Sequence, residues 1–423
     1  MIVIIGGGLA GLAASYALTE KGEEVILFER GGELGGVTSS YHIDGYRIEE
    51  YYHHIFEGDR EIQRLIGDLG LEDKLDWRKA TTGYFVDGEV HPLNTPLEIL
   101  RYPYLSLMDK AKLALLVLRS KTIGDVSDLD DVTAKEWILE NAGSSVYENF
   151  FQPLLQGKFG DDMDQVSAAW LLGRVKIRSN RTTQGEKLGY LRGGFWQLID
   201  VMAKQIEENG GKIHTNSDVQ KIVTKNGFVK GVKVKELIDC DKVISTVPPS
   251  ILAKILDTSL EELRDIQYQG TTCALFALKK SLMNVYWLNI KADVPFGAII
   301  EHTNFVPLSD YREHLIYVVS YFHDPNDPGW QRSKGEIIDW YLDGLSSMFP
   351  HFNRDDVIWT RLTRSLQTAP IYEVGYRKKI LPYSTSIEGL YLAGMFSMAN
   401  YPERSMNGSI KAGFRCAEDV MEV

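Results

Sequence analysis

Six consecutive positions, Glu49-Glu50-Tyr51-Tyr52-His53-His54, carry two carboxylates, two phenols and two imidazoles, the densest set of reactive side chains in the sequence. Imidazole changes charge near neutrality and a phenol carries a hydroxyl on an apolar ring, so a catalytic role is expected for at least one of Tyr52, His53 and His54. Neighbours on an extended segment point to opposite faces, so His53 and His54 are not expected to face one ligand together. The competing reading is a histidine pair satisfied at a domain interface.

A second kind of chemistry lies just upstream. The apolar run Ile2 to Ile5 suits a strand buried on both faces, and Gly6, Gly8 and Gly11 then form G-x-G-x-x-G before a helix that Gly22 stops. In that pattern the first glycine permits the tight turn and the second lets the backbone approach a pyrophosphate. The third lets helix and strand pack closely, and the helix N-terminus favours the anion. A second strand, Glu24 to Phe28, ends at Glu29, about 20 residues on, where a carboxylate accepts hydrogen bonds from ribose hydroxyls. These residues point to an adenine dinucleotide and leave NAD and FAD open.

The continuation Gly31 to Ser40, GGELGGVTSS, adds a second glycine cluster. The stretch resembles the dinucleotide signature of the superfamily of flavin-containing amine oxidases, protoporphyrinogen oxidases and phytoene desaturases, with Leu34-Gly35-Gly36 at its Leu-Gly-Gly. The resemblance implies FAD, with Arg30, Gly35 and Gly36 along its adenosine and pyrophosphate. It extends to a middle block, in which Gly193-Gly194 lead a helix, main chain at Val219 meets the adenine, and Val243 to Pro248 match a strand ending in proline. It extends also to the end, where Gly389 to Gly394 and a helix starting near Asn407-Gly408 match a strand, an Ala-Gly turn and a helix aimed at the flavin. Gly394, Met395, Met406, Asn407 and Gly408 are the expected cofactor contacts there, although the family usually has an acid where this chain has Met395. No cysteine stands between Ser405 and Gly408, so noncovalent FAD is expected.

The expected fold is α/β plus α+β. A discontinuous Rossmann-like FAD-binding domain (1–75, 190–250 and 383–423) is accompanied by a substrate domain with a second mixed sheet and helices (76–189 and 251–382). At 423 residues the chain exceeds what one core usually supports. Asn226-Gly227 marks a hairpin between Gln220 to Thr224 and Phe228 to Val234.

The formal net charge of -12 argues against nucleic acid or an anionic membrane surface as the main partner. Three scattered cysteines and an N-terminus without a basic leader fit a cytoplasmic protein, and no metal site is expected. Leu105 to Leu118 reads as a buried helix, with peripheral membrane contact as the alternative. Glu301 and His302 read as a satisfied surface or interface pair, and Tyr372, Tyr376 and Tyr401 as core aromatics, with a place in the cavity wall as the alternative for both groups.

The resemblance implies oxidation or desaturation of a small organic substrate by hydride transfer, in an apolar cavity with few acids or bases. A hydrophobic ring or isoprenoid is preferred and an amine comes second. Two alternatives stand beside it. His54-Ile55-Phe56 is similar to an element of UDP-galactopyranose mutases, which isomerise a nucleotide sugar with reduced flavin and would need Arg174, Arg178, Arg181 or Arg192 to clamp a diphosphate. The other is a flavin-binding protein without turnover.

Overall fold

A computed structural model describes residues 1–178 and 185–422. Its nucleus is a five-stranded, all-parallel sheet drawn from the beginning, middle and end of the chain, in the order Leu390–Leu392, Lys242–Ser245, Ile2–Ile5, Val25–Phe28, Lys212–His214. The central strands are buried on both faces, which is why they are unbroken apolar runs. The helix Leu9–Glu20 starts inside the glycine motif. A Cβ at Gly11 would overlap the Gly6 carbonyl oxygen, so this glycine sets how closely the helix seats on the strand exit. The last helix, Met406–Glu422, packs on the first, where a Cβ at Gly413 would overlap the Ala10 carbonyl oxygen. The Asn226-Gly227 hairpin forms between Lys221–Lys225 and Phe228–Lys233.

A seven-stranded mixed sheet forms the second layer, in the order Val357–Pro370, Tyr268–Leu278, His314–Phe322, Ala298–Glu301, Trp287–Lys291, Thr82–Val86, Glu89–Pro92. Its period of two divides the core. Cys273, Leu275 and Ala277 join the apolar cluster of the dinucleotide layer. Ala274, Phe276 and Leu278 face the helix Lys334–Met348 through Ile337, Tyr341 and Leu345. Helices between Leu107 and Arg178 close one end.

One carboxylate ties the layers together. Glu49, fully buried, accepts hydrogen bonds from the Tyr190 hydroxyl (2.7 Å) and the Phe195 amide (2.6 Å), while its carbonyl accepts one from Tyr317 (2.7 Å). Tyr190 contacts the Tyr311 hydroxyl at 3.2 Å, and that hydroxyl lies 2.9 Å from His302 Nε2. Glu301 Oε2 accepts from the amides of Leu282 and Met283, so Glu301 and His302 are buried core residues, although Glu301 Oε1 and His302 Nδ1 have no hydrogen-bond partner. Burial raises the Glu49 carboxyl above its usual range despite these donors.

The expectation of a buried helix over Leu105 to Leu118 is not met. The helix Leu107–Thr122 buries only Leu113, Leu116 and Ser120, and leaves Leu107, Met108, Leu115 and Leu118 from 60% to 77% exposed. Its two turns of apolar residues run all round the helix, and neighbouring helices cover only one side. No helix among the described residues is long and apolar enough to cross a membrane.

Replacing Glu49 by alanine strands the Tyr190 hydroxyl and the Phe195 amide in the core. Urea unfolding should show a loss of about 3 kcal/mol for Glu49→Ala and a smaller loss for Glu49→Gln, which keeps an acceptor. Equal, negligible losses would mean that the node does not join the layers.

Candidate functional site

The sequence-predicted cofactor residues converge at the carboxyl ends of the parallel strands. Gly35 donates its amide to the Gly7 carbonyl (2.8 Å), which lays the second glycine cluster beside the first. A Cβ on Gly36 would stand 3.3 Å from the Gly8 Cα. Glu29 accepts from the amides of Gly7 and Gly31 (both 2.7 Å), so it also pins the loop, with a second lone pair left on each oxygen. Arg30 is exposed at the same edge. Asn216 and Ser217 donate their amides to the carbonyls of Gly31 and Glu29, which leads the chain along that edge to buried Val219.

A dinucleotide fits here on a direct observation. A Cβ on Gly6, Gly7 or Gly11 would collide with protein atoms, whereas a Cβ on Gly8, the residue capping the helix, would meet nothing within 4 Å. Gly8 therefore borders open space above an unsatisfied helix N-terminus, the setting for a pyrophosphate.

At the other end, Gly408 donates its amide to Ser405 Oγ (2.9 Å), and Asn407 Oδ1 accepts from the amides of Glu61 and Ile62. The Gly408 amide and the Asn407 side chain are thus engaged within the protein. The amides of Met406 and Asn407 remain the donors that this helix cannot satisfy itself. Gly394 donates to Ser397 Oγ and accepts from Asn400 Nδ2, turning the chain so that Met395 reaches the cavity.

The cavity runs from Val37 and Thr38 past Met395, Ser405 and Met406 to an aromatic wall of Tyr52, Trp287 and Tyr321. The Tyr52 and Tyr321 hydroxyls are 2.7 Å apart, and Tyr52 meets Trp287 edge to face. His53 and His54 both line this cavity, against the expectation from strand alternation. The segment from Tyr51 to His54 is not a strand, so alternation does not apply. His53 Nδ1 lies 2.7 Å from the Tyr51 carbonyl, which assigns its proton to Nδ1 and leaves Nε2 as an acceptor. His54 Nδ1 is 3.1 Å from the Tyr286 hydroxyl. Burial lowers His53 to about 4 and lowers His54 strongly, with Arg404 adding to the first and Arg178 and Arg174 to the second. Both rings are neutral at physiological pH.

The cavity is not poor in charge, as the sequence reading expected. Lys158, Arg174, Arg178 and Arg404 line it, against the carboxyls of Glu403 and Asp59. Two close approaches bring the cations in. Gly297 lies against the Gly157 carbonyl and seats the Lys158 helix, and Gly173, with room for no more than a hydrogen beside Pro402, holds the Arg174 helix against the Glu403 loop. Glu403, 7% exposed, lies 3.8 Å from Lys158 Nζ and 3.9 Å from Arg174 Nε. Burial would raise its carboxyl, yet Lys158, Arg174 and Arg404 hold it below the usual range. Burial pushes Lys158 down to about 7, with Arg174, Arg404 and Arg178 reinforcing it against Glu403. Asp59 is raised to about 6 by burial.

Lys158, Glu403 and Arg404 were not among the expected site residues. The only hint was their place before a glycine turn and before the final helix. Arg192 binds the Asp73 carbonyl by way of its guanidinium and lies near Asp76, outside the cavity lining, and Arg181 falls outside the described residues. Tyr372 and Tyr376 are buried and Tyr401 is half-buried; their rings pack on one another outside the cavity lining, with Tyr372 donating to the Asn400 carbonyl.

Comparison with known proteins places this architecture. Residues 9–421 match the family model of the flavin containing amine oxidoreductases. The chain belongs to that family. It is therefore an FAD-dependent oxidoreductase. It is similar to the 15-cis-phytoene desaturase of Solanum lycopersicum, 26% identical over 462 residues, covering 100% of this chain and 77% of the desaturase. In fold it is similar to an Exiguobacterium sp. 255-15 chain assigned as a protoporphyrinogen oxidase (TM-score 0.80, 20% identity, 100% and 99% covered). It is likewise similar to reduced UDP-galactopyranose mutase (TM-score 0.76, 17% identity, 100% and 93% covered).

The open space at Gly8 separates two substitutions. Gly8→Val should give a folded protein with an unchanged circular dichroism spectrum and no FAD released on denaturation, because the side chain fills the pyrophosphate's place. Gly11→Val should fail to fold, because it drives the first helix off the strand. FAD retained by Gly8→Val would refute the placement.

Proposed function

We propose that this enzyme oxidises or desaturates a small organic substrate laid in the cavity between the two sheets, with FAD held noncovalently. The observation that carries the reading is the continuity of the cavity, from the glycine-loop exit and the start of the last helix to the wall of Tyr52, Trp287 and Tyr321. Bound FAD supplies a two-electron acceptor for hydride. The protein's own groups do the rest. The amides of Met406 and Asn407, left unspent at the start of the last helix, would hold the flavin and favour negative charge on it. The Tyr52–Tyr321 pair and Trp287 orient the substrate and exclude water, and His53 Nε2 accepts a hydrogen bond or proton from it. Each of the three cysteines is buried in packed core and none is among the cavity-lining residues, which supports noncovalent attachment.

A second reading, isomerisation of a nucleotide sugar by reduced flavin, is favoured by Arg174 and Arg178 lying on the cavity. Two mixtures separate the readings. Anaerobic mixing with oxidisable compounds should bleach the oxidised-flavin absorbance, and His53→Ala should slow the bleaching about tenfold or more. Turnover of UDP-sugars confined to dithionite-reduced enzyme would establish the isomerase instead. Acid precipitation should leave a colourless pellet and FAD in the supernatant; a yellow pellet would refute noncovalent binding.

A further inference from the structure

Resting on the oxidoreductase reading, the geometry points to a substrate that carries an anionic group, a carboxylate or a phosphate, seated among Arg174, Arg404 and Lys158 beside the aromatic wall. Arg404 Nε is buried without a hydrogen-bond partner, and so is Glu403 Oε2. The nearest cations stand 3.8 and 3.9 Å from Glu403, within ion-pair range and beyond hydrogen-bond length. The cations are therefore held to Glu403 by charge, and Arg404 Nε keeps an unspent donor. Arg174 and Arg404 line the cavity as permanent guanidiniums, with Lys158 beside them and Glu403 between them. Guanidinium desolvated without a partner is costly, and a carboxylate or phosphate satisfies its planar donors best.

The same charges weigh against other substrates. A protonated amine would stand beside the permanent charges of Arg174 and Arg404, where like charges repel at low dielectric. A wholly apolar polyene would strip water from Arg404 and Arg174 and give nothing back. Trp287, Tyr52 and Tyr321 still offer apolar wall, so the favoured ligand joins an anionic head to an apolar body.

The test is calorimetric titration of the FAD-loaded protein with hexanoate, hexyl phosphate and hexylamine, which share one tail. Saturable binding of either anion, about tenfold or more tighter than hexylamine, is expected, and the tighter anion identifies the head group. Arg404→Met should weaken the anion about tenfold, and Arg404→Lys should restore part of it while FAD content stays at one per chain. If Arg404→Met does not fold, Arg174→Met takes its place. Hexylamine binding as tightly as the anions, or no anion binding to FAD-loaded protein, would overturn the inference. Absence of FAD would instead defeat the underlying reading.

A separate observation carries a second inference. We infer that the helices Pro96–Arg101 and Leu107–Thr122 dock on an anionic lipid surface. Leu97, Leu100, Leu107, Met108, Leu115 and Leu118 are each more than half exposed. Across residues 96–122 five basic side chains stand against two acids, in a chain of net charge -12. Both acids, Glu98 and Asp109, are spent in capping boxes. Apolar exposure ringed by Lys and Arg is the composition of an interfacial helix. The full-length, FAD-loaded protein should sediment with vesicles containing phosphatidylglycerol and stay in solution with phosphatidylcholine alone. Leu115→Glu with Leu118→Glu should release it without lowering its melting temperature. Equal sedimentation of that variant would overturn the docking, as would a concentration-dependent dimer that the substitutions dissolve.

Discussion

The buried Glu49 carboxylate is the constraint on which the two layers depend. It sits where the chain leaves the second glycine cluster and before it enters the cavity wall, so its partners decide how the dinucleotide layer meets the mixed sheet. Phe195 brings the start of the Trp196–Glu208 helix, while Tyr190 and Tyr317 bring the substrate side. A carboxylate so far from water is tolerated because every approach is a donor, and removing any one leaves an orphan. Residues Tyr51 to Phe56 hang directly from this node. The cavity wall is thus as fixed as the core beneath it.

How much of this was legible follows from how local each signal is. The glycine turn, the buried strands and the Asn226-Gly227 hairpin were readable because each is decided by residues adjacent in sequence. Gly8 and Gly11 even separate into distinct roles, one bordering the ligand and one bordering the backbone. The FAD edge around Glu29 and Val219 needed the family resemblance, because its pieces lie about 190 residues apart in sequence. Two expectations failed for physical reasons. The histidines share a cavity because their segment is irregular backbone, to which a period of two does not apply. The apolar helix is exposed because hydrophobicity all round a helix does not reveal which side a neighbour covers.

The cation cluster was the least legible part. Lys158, Arg174 and Arg404 come from three separate segments, and each alone reads as a solvated surface charge. What unites them is a pair of close backbone approaches at Gly157 and Gly173, visible only in three dimensions. Their effect reaches beyond their own contacts. They hold Glu403 below the usual carboxyl range, and Arg404 and Arg174 add to the burial that lowers His53 and His54. Catalytic and electrostatic functions are divided between different side chains instead of being shared by the histidines.

The last helix has a consequence for how the protein comes into being. It seats Gly413 against the first helix, and its Asn407 caps the helix Arg60–Asp68. A ribosome making this chain presents the glycine loop well before the groups that complete the pocket. Until the residues around Met406 have cleared the exit tunnel, the nascent polypeptide exposes half a nucleotide cleft and an uncovered Ala10 face. Cofactor capture therefore needs both the glycine loop and the helix Met406–Glu422 in place.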